Sequence, residues 1–287
     1  MKVPGFLLTI VVAMTVAVVG AASQGPAATS PSVNELLQTA RRQAQAGDAS
    51  AALESLRSAR ALAPNSEEVL SALAQVALAA RMLLPAITTL DTLTRMCPTV
   101  SQYHYLLGVA LMEAGDMLAA VESLRQADRL EPERPLTLIA LGLAQNSRKQ
   151  YDDARRALIH ALDLEPDNVD ALAALAEAEA GVGELAPAED HARRALARSD
   201  THPTANLVMG LVLMKRERYA EARDALSKAI AADPGSSAAH YQLSLAYARL
   251  GDEANARKHV EMYQQKLREA EDRMKTLRAA TPGERPR

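Results

Sequence analysis

Six histidines and a single cysteine are the side chains of this 287-residue chain that could hold a metal ion or act as nucleophile and base. Their spacing argues against both roles. His160, His191 and His259 are expected on the second helices of helical pairs, and His202 precedes Pro203 in a turn. His104 and His240 fall at equivalent places 136 residues apart, where a packing role is expected. None has a second His, a Cys or a carboxylate placed as a ligand set; Asp190 and His191 are adjacent and would point in different directions on a helix. Glu177 and Glu179, two residues apart, read as solvated surface. Cys97 sits beside Pro98 at a helix end, as a small packing residue or as the partner in an intermolecular disulfide. No GxSxG, P-loop or HExxH motif occurs. The expectation is therefore no catalytic residue, no metal and no cofactor.

Composition narrows the partners. Net charge is −3, the pI is near 6.1, and charges of both signs alternate along the chain without forming a basic stripe. A nucleic-acid role is therefore not expected. Aromatic residues make up 3% of the chain, which leaves little surface for stacking bases or sugars.

The elements that must position any binding surface are announced by a period. Alanine stands at 52, 86, 120, 154, 188, 222 and 256, each 34 residues after the last. In the same register a small residue recurs at Ala40, Ala74, Gly108, Gly142, Ala176, Gly210 and Ser244. Four residues after the alanine come Leu56, Leu90, Leu124, Leu158, Ala192, Leu226 and Val260, and twelve after it Pro64, Pro98, Pro132, Pro166, Asp200 and Pro234. A fixed period of this size marks an array whose units bury their apolar faces by stacking. Each unit reads as two helices. The small residues let the two backbones approach, leucine fills the groove beside them, and proline turns the chain into the next unit. Gly47, Gly115, Gly183 and Gly251 occupy the inter-helix turn in odd units, and Arg81, Lys149 and Glu217 replace them in even units.

This pattern of a small residue at position eight, alanine at twenty, a bulky residue at twenty-four and proline at thirty-two resembles the tetratricopeptide repeat. The resemblance covers seven units starting at 33, 67, 101, 135, 169, 203 and 237. It implies an all-α, right-handed solenoid of helix–turn–helix repeats over 33–267. Aromatics usual in the family at positions four and twenty-four are mostly leucine here, which suggests a core of Ala and Leu. The family's first helices line a concave groove through positions two, five, nine, twelve and thirteen. Carried over residue by residue, that wall is apolar in units three and four (Tyr105, Val109, Met112, Ile139, Leu143, Asn146) and again in units six and seven (Leu207, Leu211, Met214, Tyr241, Leu245). Units one and two are polar, with Asn34, Arg41, Gln45, Glu68 and Gln75; unit five is small and acidic, with Asp170, Ala173 and Glu177. The two apolar patches are the candidate binding residues for a protein partner offering an extended apolar segment or an amphipathic helix. The alternative is that these side chains pack on one another, or that the C-terminal helix folds back into the groove. The Lys and Asn with which chaperone-binding relatives hold a carboxylate tail, at positions five and nine, pair in no unit.

The ends differ from the array. Lys2 is followed by twenty uncharged residues, Val3 to Ala22, and then by Ser23-Gln24-Gly25-Pro26. This describes a signal peptide over 1–22, or a retained anchor of nearly spanning length, and export in either case, to the periplasm or outside the cell. Residues 23–32 read as linker, and Ser32 with Glu35 as a capping box. The last helix is expected to run past 267 to about 279, with Val260, Tyr263, Leu267, Ala270, Met274 and Leu277 stepping by three and four. It would cap the array or contact a second chain, and residues 280–287 would be disordered. The expected function is an exported, non-catalytic interaction module; the alternative is a membrane-tethered assembly factor.

Overall fold

The computed structural model describes residues 31–280, without the side chains of 273, 274 and 276–280. Expectations for residues 1–30 and 281–287, the signal, most of the linker and the tail, lie outside the described residues. The described residues form fourteen helices and no strand. First helices are α1 (Val33–Gln45), α3 (Glu67–Ala79), α5 (Ser101–Ala114), α7 (Pro135–Ser147), α9 (Val169–Val182), α11 (Pro203–Lys215) and α13 (Ser237–Arg249). Second helices are α2 (Ala49–Leu62), α4 (Leu83–Met96), α6 (Met117–Leu130), α8 (Tyr151–Leu164), α10 (Leu185–Arg198), α12 (Tyr219–Ala232) and α14 (Glu253–Ala280). Each helix packs on its partner and then on the next unit, which makes an α-solenoid.

Local chemistry accounts for the boundaries. Ser32 and Glu35 form the expected capping box, the Glu35 carboxylate accepting from the Ser32 amide at 2.8 Å. Asp48, Ser66, Asp116, Asn168 and Ser236 cap later helices through their side chains. Pro135 and Pro203 open α7 and α11, where a missing N–H costs nothing. The turn between paired helices takes φ near +80 to +89° at the four glycines, and the same left-handed geometry at Arg81, Lys149 and Glu217, with φ of 55, 59 and 60°. The alternation seen in the sequence thus hides one conserved backbone shape across all seven units.

The small residue at position eight meets position twenty-four most closely. A Cβ added at Gly108, Gly142 or Gly210 would lie 2.5 Å from Cγ of Leu124, Leu158 or Leu226. In unit five the two positions hold Ala176 and Ala192, both buried in one cluster, with the smaller side chain at position twenty-four. All alanines of the period from Ala52 to Ala222 are fully buried. One continuous apolar cluster runs from Leu36 to Ala178, through units one to five. Beyond it the core divides into smaller groups around Ala188 and Val208, around Leu172 and Ala205, and around Leu226 and Leu243.

Candidate functional site

The histidines find partners that adjacency in sequence did not reveal. His191 Nδ1 lies 2.8 Å from Oε2 of buried Glu179, twelve residues earlier. The same step from position eleven to position twenty-three joins Ser55, donating to Gln43 at 2.8 Å, and stacks His259 on Tyr247 at 5.6 Å. Glu179 is therefore not solvated surface, which corrects the expectation; repeat register, not distance along the chain, is the signal that finds its partner. His191 and Glu179 also line a cavity of ≈ 200 Å³ with Ile159, Leu162, Pro166 and Leu175. His202 caps α11 by accepting from the Ala205 amide, and its Nε2 reaches Asp170 at 3.1 Å. His104 sits 3.0 Å from the Pro98 carbonyl, and Asn206, in the same repeat position, donates to the Asp200 carbonyl at 2.9 Å. Position four thus ties each of these units to the carbonyl that ends the preceding one. His240 and His259 approach with their Nδ1 atoms 3.0 Å apart and their rings stacked. Burial holds both imidazoles below their ordinary pKa, and for His259 the neighbouring His240 adds to the effect. Among the described residues, no group of three or more His, Cys, Asp or Glu could hold a metal ion. Cys97 is a half-buried free thiol, raised by burial.

The first candidate patch is not exposed. Tyr105, Val109, Met112, Ile139, Leu143 and Asn146 are all buried, which corrects the expectation of a free apolar surface in units three and four. The first helices touch there, α5 on α7 and α7 on α9, and α14 contacts α5. The Arg134 guanidinium lies 5.4 Å over the Tyr105 ring, and burial pushes the Tyr105 hydroxyl up to about 12. Asn146 donates to the Ala174 carbonyl at 2.8 Å and to Glu177 at 3.4 Å, while its buried Oδ1 has no partner among the described residues. Glu177 is half-buried, and desolvation pushes its carboxyl up to about 6 against the opposing pull of Asn146. It too departs from the expected solvated surface.

The second patch is open only in unit seven, and Leu207 and Met214 of unit six pack partly against the core. Leu207, Leu211 and Met214 are half-buried, and Tyr241 and Leu245 are 43% and 37% exposed. Tyr263 of α14 covers one side of Tyr241, with ring centroids 5.3 Å apart. Val260 and Leu267 of the apolar stripe on α14 are exposed, so this helix does not fully shield its own apolar face. No helix among the described residues is long and apolar enough to cross a membrane.

Three family models, each for the tetratricopeptide repeat, match the chain: one over residues 139–203 and 207–270, one over 43–109 and one over 101–134. No curated protein matches it. A tetratricopeptide repeat protein from Parabacteroides merdae superposes with a TM-score of 0.70 at 14% identity, covering 85% of this chain and 98% of that one. The Cut9–Hcn1 hetero-tetramer of the APC/C gives 0.59 at 19% identity, over 75% of this chain and 42% of the other. A Thermus thermophilus repeat protein is 23% identical over 64% of this chain and all of that one, with a TM-score of 0.45. At these identities the likeness speaks for the fold alone. By its repeat register, its fourteen helices and the three matching models, the chain belongs to the tetratricopeptide repeat family.

Proposed function

We propose that the chain is an exported, non-catalytic scaffold that holds a partner polypeptide on the concave wall of its last two units. The single observation that carries this reading is the exposure of Tyr241 and Leu245 on the last first helix, beside half-buried Leu211, with Leu207 and Met214 packed partly against the core next to them. Exposed apolar side chains gathered on one concave face mark binding surfaces more than chance does, and Met and Tyr suit a partner that adapts its fit. An amphipathic helix or an extended apolar segment would complement it. Tyr241→Glu with Leu245→Glu should abolish co-isolation of the partner from the native host while leaving helicity and melting unchanged. Retained partner with both substitutions would end the proposal for this surface.

Export is supported by Lys2, the apolar run Val3–Ala22 and the small residues that follow it. Mass spectrometry of the amino terminus from the native host tests it. A start between Ala22 and Gln24 supports a soluble exported form, whereas an intact Lys2 on a membrane-bound chain supports the tethered assembly factor.

A further inference from the structure

The cavity of ≈ 200 Å³ lined by α8, α9 and α10 breaks the repeat register at its polar positions. Position eleven is acidic in unit five alone, at Glu179, and position twenty-nine is acidic in unit four alone, at Asp163. Residues that serve stacking recur with the period, so those that depart from it together are free for another task. Asp163 of α8 and Arg194 of α10 line this cavity from its two sides. Arg194 donates to the Pro166 carbonyl at 3.2 Å. Among the described residues neither side chain has an ion-pair partner, and they do not pair with each other. Opposite charges held apart across an apolar cleft are satisfied together by one molecule that carries both. A second donor stands beside Arg194. Glu179, 5% exposed, accepts from His191 Nδ1 at 2.8 Å. That bond fixes the ring with Nε2 on its far side, and the carboxylate supplies the counter-charge for a proton there.

We propose that this cleft binds a free aliphatic α-amino acid. Its carboxylate takes Arg194 and His191, three residues apart on one face of α10. Its ammonium takes Asp163, and its side chain lies among Ile159, Leu162 and Leu175. Size agrees with chemistry. A dry cavity of about 150 Å³ holds benzene, so this one suits about eight or nine non-hydrogen atoms, the size of valine or leucine. The equivalent cleft one unit on, between α10 and α12, keeps an apolar floor at Leu196 and Met209 and a cation at Lys228. There Leu213 and Ala225 replace Glu179 and His191, and its acids Glu189, Glu221 and Asp224 are already paired with Arg193, Arg218 and Arg223. The zwitterion site is thus particular to units four and five. An amino acid bound there ties α8 to α10 across two units, near the end of the continuous apolar cluster. The cleft lies outside the concave wall, so this goes beyond the scaffold proposal and stands or falls apart from it.

The test titrates L-leucine into the full chain and follows the methyl NMR signals of Ile159, Leu162 and Leu175, with melting as a second readout. Saturable shifts at these methyls and a higher melting temperature are expected. Leucine methyl ester, isocaproate and glycine lack in turn the anionic carboxylate, the ammonium and the apolar side chain. Each should bind about tenfold or more weaker than leucine. Arg194→Gln and Asp163→Asn, both at exposed residues, should each weaken leucine by a similar factor without lowering the melting of the free chain. Asp163→Asn should not weaken isocaproate, which has no ammonium to lose. The ligand series on the unaltered chain decides the matter even where a variant melts lower. No saturable shift up to about 10 mM, shifts centred on other methyls, glycine or the ester binding as well as leucine, or an affinity indifferent to both substitutions would each overturn the proposal.

Discussion

Three side chains carry a backbone shape that glycine carries in the alternate units. Lys149 and Glu217 stand at φ of 59° and 60°, where an L residue costs about 1–2 kcal/mol relative to glycine. Glycine's larger freedom in the unfolded chain offsets part of that. Lys149→Gly and Glu217→Gly should each stabilise the array by roughly 0.5–1 kcal/mol, read as a higher urea midpoint at unchanged slope. No gain would mean the left-handed turn costs nothing here. The contact between positions eight and twenty-four offers a second check. Gly142→Ala places a Cβ 2.5 Å from Leu158 Cγ and should cost about 1–3 kcal/mol. Leu158→Ala alone leaves a cavity worth about 2–5 kcal/mol. Together they should cost less than their sum, because Ala176 and Ala192 already make that pair in unit five. Additive costs would show that the two positions do not share one space.

At the scale of elements, helix ends were legible for reasons that partly survive. The helices before Pro64, Pro98, Pro132, Pro166 and Pro234 stop two residues short of it, and α10 stops at the same place with Asp200 there instead. Stacking on the next unit, and the tie from Asn206 to the Asp200 carbonyl, end that helix without proline. The last helix shows where element and solvent meet. His240 on α13 and His259 on α14 face each other beside Tyr247, with Lys266 and Lys258 opposing a second proton and Asp233 favouring it. Because the folded pKa of each is lowered, folding favours the neutral imidazoles. Their contribution is present above the ordinary pKa of about 6.5 and is lost as pH falls below it. Amide protection in α14 should therefore drop between pH 7.5 and 5, and His259→Phe, which keeps a ring on Tyr247, should remove most of that dependence. An unchanged pH profile in the variant would contradict this origin.

For the whole molecule, the period fixed in advance the number of units, their helices and the residues that meet inside each one, because identical contacts repeat every 34 residues. Surface was less legible than core. The resemblance places Tyr105, Val109, Ile139 and Leu143 on a concave wall, yet all four are buried, and burial depends on contacts between helices far apart in sequence that no local pattern announces. Glu177, Glu179 and the paired histidines were missed for the same reason, since their partners lie one helix or one unit away. In units six and seven Leu207, Leu211 and Met214 are half-buried, and Tyr241 and Leu245 are exposed. The proposed binding surface is accordingly at that end of the groove rather than in its middle. A scan of single photo-crosslinkers in the native host tests this most directly, with probes at Leu211 and Leu245 inside the groove and at Leu118 and Ile159 on second helices, where side chains are 65% and 46% exposed. The account predicts partner adducts from Leu211 and Leu245 alone; adducts concentrated at Leu118 or Ile159, with the groove silent, would contradict it.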